Sequence, residues 1–249
     1  MWDIIAVGAV AFFFGLYAFF DNLTICARVA GSLEGRNALG ASFEKAMNTI
    51  KRGFMFLYPP ILGALISFGR YEVVYVAIFV SCFVALLISI SGILFMQPLV
   101  NWMRRSIRSY VVENSLARSI IFPCKTSILL AGSSDIGHSG IIGVLSEHRK
   151  IFGYSCWVYF VYSSAIFVVN IIAIEFSQYS AVIFQSIGAY NALGTILLAF
   201  IVDPMISNHL DDGRGVQDVA KSVIAAQSFV YGIICPIFFV FLISGLRYF

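Results

Sequence analysis

Charge is scarce in this sequence. Asp, Glu, Lys and Arg make up 12% of its 249 residues against 60% hydrophobic residues, and the mean hydropathy is +0.90. A soluble domain of this length fills its core with far less apolar sequence, so the surplus must face lipid. Strict period-two alternation is also missing, and the apolar runs are long and unbroken. Only helices and closed barrels satisfy their own backbones in hydrocarbon, and runs of this kind favour helices. No dense basic stripe with interleaved aromatics is present and the net charge is only +3, so nucleic acid is not an expected partner. The five cysteines (Cys26, Cys82, Cys124, Cys156, Cys235) form no CxxC pair and sit in or beside apolar stretches. They read as buried small hydrophobes, with no disulfide framework and no metal site. The first apolar run is preceded by acidic Asp3 and lacks the basic start of a secretory signal, so it reads as a retained helix.

What is present reads as one all-α membrane domain over 1–249, a helical bundle of about six spans. The spans are expected near 4–26, 37–69, 73–98, 151–174, 179–202 and 221–246. Arg28, Gly31, Gly35 and Arg36 are expected to end the first helix in a short basic loop. From 37 to 52, Leu39, Phe43, Ala46 and Ile50 recur at steps of three and four, with Glu44, Lys45, Asn48, Lys51 and Arg52 on the other side. Tyr58-Pro59-Pro60 should then kink the chain or break it, leaving either one long kinked span or a surface helix feeding a short span. The stretch 99–150 is rich in arginine (Arg104, Arg105, Arg108, Arg118) and later interrupted by Pro123, Lys125, Asp135 and His138. It is expected at the cytoplasmic interface or as a re-entrant segment, not as a span. Pro236 should kink the last helix. With both termini outside, the inside loops hold 11 of the 16 lysines and arginines, which sets the expected orientation as N-out, C-out.

Charged residues in or beside spans are costly and are functional candidates by default. Arg28, Arg36, Glu44, Asn48, Lys51 and Arg52 form the first group. A diphosphate headgroup needs two or more cations, and arginine grips phosphate oxygens with a bidentate fork. Glu44, Asn48 and Arg52 follow at steps of four, an arrangement that suits a polar groove for phosphates and sugar hydroxyls. The same residues also suit a surface helix snorkelling its cations to anionic membrane lipids, and spacing alone does not separate the two. Gln185, Asn191 and Thr195, with Gly188, make a polar stripe on one later helix. They suit either a polar path, which Asn170, Glu175 and Gln178 would extend, or helix–helix glue. Asp203, His209, Asp211 and Asp212 lie in DPMISNHLDDGRG and could hold a cation, but the run lacks calcium-loop spacing; it suits a capped helix end and solvated turn, or a coupling and gating role with a proton or sodium for Asp203, Asp211 and Asp212. GSSDIGHS (Gly132–Ser139) resembles a phosphate loop but has His138 in place of the lysine, so no ATP site and no cofactor are expected. Neither a hydrolase triad nor a nucleophile elbow is present, and the expectation is a carrier rather than an enzyme.

Two stretches carry a family resemblance. The first reads RVAGSLEGRNALGASF (Arg28–Phe43) and IKRGFMFLYPPILG (Ile50–Gly63). The second reads NALGTILLAFIVDPMISNHLDDGRG (Asn191–Gly215). Together they resemble the Amj family of bacterial alternate lipid II flippases, in its Arg-x-Ala-Gly, Pro-x-Leu-Gly, Asp-Pro-x-x-Ser and Asp-Asp elements. The chain departs from the family at Met55, Tyr58 and Ala192. The resemblance implies a carrier for undecaprenyl-diphosphate-linked sugar (lipid II), needed for peptidoglycan synthesis and cell wall biogenesis, in the bacterial inner membrane. Rival readings are a carrier for another polyprenyl-linked oligosaccharide, such as an O-antigen unit, an intramembrane lipid-phosphate enzyme, and a non-catalytic scaffold. The carrier reading expects alanine at Arg28 or Arg52 to abolish rescue of flippase-depleted cells.

Overall fold

The computed structural model describes residues 1–121, 123, 141–211 and 215–246. Among them there are helices and turns and no strands. The helices are α1 (Trp2–Leu33), α2 (Asn37–Met55), α3 (Tyr58–Ser67), α4 (Tyr71–Leu94), α5 (Met96–Glu113), α6 (Leu116–Ile121), α7 (Ile141–Glu147), α8 (Arg149–Glu175), α9 (Ser180–Leu197), α10 (Asp203–Asp211), α11 (Val216–Phe229) and α12 (Cys235–Leu246). Five helical stretches are long and apolar enough to cross a membrane: Trp2–Leu33, Tyr71–Leu94, Arg149–Glu175, Ser177–His209 and Val216–Leu246. The chain is a multi-pass membrane protein. GSSDIGHS and Lys125 lie outside the described residues.

The α2–α3 pair completes the bundle. It runs antiparallel along α1: Gly40 meets Gly31, Lys51 meets Asp21, Phe54 stacks on Phe20, and Tyr58 meets Phe14 edge-on. The α2 helix thus packs along α1 and leads, after a break, into α3, with contacts from Gly31 to Phe14. The break at Phe56–Leu57 has a simple cause. Pro59 and Pro60 cannot donate to the carbonyls four residues back, but they fit the first turn of a new helix, where no donor is needed. Parallel to α1 runs α4, with Val84 and Ile88 against Gly15 and the Ile88 carbonyl bonded to Asn22. Antiparallel to α1 run α8 (Tyr162 on Tyr17, Phe167 on Phe14) and the α11–α12 stretch (Gln227 on Asp21, Tyr231 on Phe14). Phe14 thus centres an aromatic core drawn from four segments.

Contrary to the expected stop near residue 26, α1 continues to Leu33, so Arg28 and Gly31 are helical. The reason is packing. Gly31 and Gly40 bring two backbones so close that a Cβ on either would overlap the other's main chain. The reversal comes at Gly35, whose φ of +65 suits a residue without Cβ. Gly40→Val is expected to lower thermal stability in detergent by about 1–3 kcal/mol, the usual cost of overpacking. Gly8→Ala, where a Cβ meets nothing, is the matched control. Equal melting curves for the two variants would count against this close approach.

Two helices widen to π geometry, at Leu198–Val202 and Val230–Ile234. Each widening ends two residues before a proline, Pro204 and Pro236. A mid-helix proline lacks one donor and crowds the carbonyl four residues back, and an extra residue in the turn relieves both. Pro236, where the sequence leads one to expect a kink, follows the second of these wide turns.

Candidate functional site

Two linked groups of charged side chains are held inside the bundle. The first centres on Arg28 of α1. Its Nε lies 3.3 Å from Glu44 Oε2 of α2, its Nη1 donates to Asp203 Oδ1 of α10 at 3.2 Å, and its Nη2 donates to Ser207 Oγ at 2.9 Å. Arg28 and Glu44 side chains are 18% and 16% exposed, so the pair is largely shielded from solvent. The widened turn Leu198–Val202 leads directly into Asp203.

The second group lies deeper. Lys51 Nζ donates to Asp21 Oδ1 at 2.6 Å, with both side chains 2% exposed, and Gln227 Nε2 of α11 donates to Asp21 Oδ2 at 2.8 Å. The ammonium sits over two rings, 5.5 Å from the Tyr17 centroid and 5.2 Å from that of Tyr162. At 1.5 Å per residue, Arg28 lies about 8 Å and Asp21 about 18 Å along α1 from its Leu33 end. A buried pair at such depth is tolerable only with full hydrogen bonding and close counter-charge. Asp21 has that here.

A hollow of ≈ 30 Å³ joins the groups, lined by Asp21, Arg28, Glu44, Asn48, Tyr159 and Asp203 with apolar neighbours. Space on this scale suits roughly one or two waters, not a diphosphate. The described conformation is therefore closed around cations already answered by acids. A larger ligand requires the helices to part.

The expected site residues divide. Arg28, Glu44 and Asn48 face the hollow with Asp203. Lys51 is inside, bound to Asp21 and not free for a headgroup. Arg36 and Arg52 are exposed and do not line it. The expected groove of Glu44, Asn48 and Arg52 fails on helix geometry: four residues overshoot a turn by about 40°, so two such steps carry Arg52 off the face. Lys51 takes the inward place. The α9 stripe does not join the hollow either. Gln185 is exposed, Thr195 bonds its own Asn191 carbonyl, and Asn191 lines a separate apolar groove of ≈ 420 Å³ between the α2–α3 break and α9. Asn170 likewise bonds its own helix, at the Ile166 carbonyl, while Glu175 accepts from Tyr75 Oη. Asp211 ends α10, but its side chain, like Asp212, lies outside the described residues.

Asp21 and Gln227 were missed by sequence reading. The available signal was an acid inside the first apolar run, which lipid-facing sequence does not tolerate.

At the Leu33 end of the bundle, Glu34 clamps α5 onto α1. Arg104 Nε donates to its Oε1 at 2.6 Å, while Arg108 donates through Nε to Oε2 at 2.7 Å and through Nη2 to Oε1 at 2.8 Å. Burial alone would raise the Glu34 carboxyl, but the hydrogen bonds from Arg108 and Arg104 outweigh it and hold the group below its ordinary value. A carboxyl lowered by folding adds stability that is complete above its unfolded pKa and is lost as pH falls through the folded one. Glu34→Gln is thus expected to speed amide exchange in α5 at neutral pH and to blunt the further loosening that acid causes in the parent protein. Unchanged α5 exchange in the variant would contradict the clamp.

No known protein family, curated protein or solved structure matches the chain.

Proposed function

We propose that this chain is a carrier that moves an undecaprenyl-diphosphate-linked sugar, lipid II of peptidoglycan synthesis, from the inner to the outer leaflet of the bacterial cytoplasmic membrane without ATP. The observation that carries the reading is the contact of Arg28 with Asp203 and Ser207. These residues come from the two stretches that resemble the lipid II flippases, the Arg-x-Ala-Gly and Asp-Pro-x-x-Ser elements, some 175 residues apart in the chain. Their meeting at one hollow gives both elements a single job.

The chemistry fits an anionic headgroup. Arg28 has the fork that phosphate oxygens take bidentately, and here carboxylates occupy it. Phosphate can take the place of Glu44 or Asp203 without leaving the guanidinium unanswered. The substrate's sugar must stay out of hydrocarbon while its isoprenoid chain remains in it, so the bundle has to open sideways. The α2–α3 break and the two widened turns are the places where that bending costs least. The basic end of the bundle, with Arg36, Arg104, Arg105 and Arg149, faces the cytoplasm in this reading. The role in this reading is transport: among the described side chains of the Asp203 run, Asp203 reaches the site and is held by Arg28.

Rescue of cells depleted of their lipid II flippase, with leaflet-specific detection of lipid II, tests the proposal. Rescue with lipid II arriving at the outer leaflet is expected. Failure to rescue, together with movement of a different polyprenyl-linked oligosaccharide, would reassign the substrate.

A further inference from the structure

The charges around the hollow do not balance. Among the described residues, Asp21, Glu44 and Asp203 bring three carboxylates to it, and only Arg28 and Lys51 answer them. Lys51 is committed to Asp21, which also holds a hydrogen bond from Gln227. The imbalance therefore falls on Glu44 and Asp203, which share the one guanidinium of Arg28. An unanswered carboxylate in a shielded site is costly, and a proton is the smallest remedy.

We propose that Glu44 and Asp203 form a proton-binding site whose occupancy is linked to capture of the anionic headgroup by Arg28. This rests on the reading of Arg28 as a phosphate ligand. When phosphate oxygens take the guanidinium, the two carboxylates lose their shared cation while still inside the bundle. The pair then takes up one more proton from the solvent, giving a neutral acid beside a phosphate–guanidinium pair. When the headgroup leaves, the carboxylates return to Arg28 and that proton is released. Headgroup binding and proton uptake thus favour one another, as linkage requires.

The surroundings support this assignment. From α1, Asp21 faces the hollow but is bonded by Lys51 and Gln227. From α2, Asn48 faces it without a charge, and Lys45 of the same helix is exposed. From α8, Tyr159 lines it; from α10, Ser207 donates no charge; and the α11 residues lining it are Val216, Val219 and Ala220. No other described cation lining the hollow is free to replace Arg28 beside Glu44 and Asp203. At the same time, the site is not sealed, since the Asp203 side chain is 34% exposed.

The test is proton uptake by the full chain in nanodiscs on adding undecaprenyl diphosphate, read with a pH indicator in weak buffer. The parent protein is compared with Glu44→Gln, Asp203→Asn and the double variant, each first shown monodisperse. Because the probe's own protons are common to all four, the difference between parent and variant reports the protein. We expect the parent to take up between half and one proton more per bound probe than the double variant, with each single variant in between. Probe affinity in the parent is expected to weaken several-fold per pH unit on the alkaline side, and in the double variant to lose that dependence. Equal proton uptake by the parent and the double variant, with both binding the probe, would overturn the proton site and leave the carrier reading intact. A parent that binds no probe at any pH would overturn the carrier reading, and the proton site with it.

Discussion

Arg28→Ala is expected to abolish rescue of flippase-depleted cells, while Arg36→Ala and Arg52→Ala retain it. Arg28 is the cation that faces the hollow and bridges α1, α2 and α10. Its removal leaves Glu44 and Asp203 without their common partner and leaves a phosphate with no fork to enter. Arg36 and Arg52 are exposed, and exposed cations near headgroups contribute little to a specific site. Arg28→Lys should recover only a small part of the function, because an ammonium cannot reach Glu44, Asp203 and Ser207 at once with a planar fork. Expression and membrane insertion of each variant are checked by immunoblot. Loss of function in Arg52→Ala equal to that in Arg28→Ala would place the headgroup elsewhere on α2.

The second large effect is expected at Lys51. Lys51→Met leaves Asp21 charged, buried and without a cation, an arrangement that costs roughly 3–5 kcal/mol. The variant should melt far below the parent in detergent. Pairing it with Asp21→Leu removes the orphaned charge and should restore most of the lost stability, although Gln227 then lacks its acceptor. A double variant that is stable but inactive would separate the pair's role in transport from its role in folding. A double variant no more stable than Lys51→Met alone would show that the pair is not the source of the loss.

Much of the bundle was legible before any coordinates. Long unbroken apolar runs identify their helices because lipid leaves the backbone no other partner. The prolines at 59 and 60 mark the α2–α3 break for the same kind of local reason. Sequence was weaker wherever a contact between distant helices decides the outcome. Gly31 looked like a helix stop and is instead a point of close approach, which only Gly40 on the next helix reveals. Arg52 looked equivalent to Lys51, its neighbour. The helix places Lys51 against Asp21 and turns Arg52 outward, a difference that the 3.6-residue turn carries and plain steps of four hide. Asp21 was concealed by its apolar setting, although that setting is itself the signal. Arg28, Glu44, Asn48 and Asp203 were all singled out in advance, but not that they share one hollow. Sequence puts Glu44 in one group with both Arg28 and Arg52, and its ion pair is with Arg28.

The central claim is that a single half-buried arginine, held by acids from two other helices, receives the diphosphate of a lipid carrier. The most direct measurement is transbilayer movement of lipid II in vesicles holding the purified protein, with matched vesicles holding Arg28→Ala or Arg52→Ala. The account predicts movement with the parent and with Arg52→Ala, and background movement with Arg28→Ala. Undiminished movement with Arg28→Ala would contradict it.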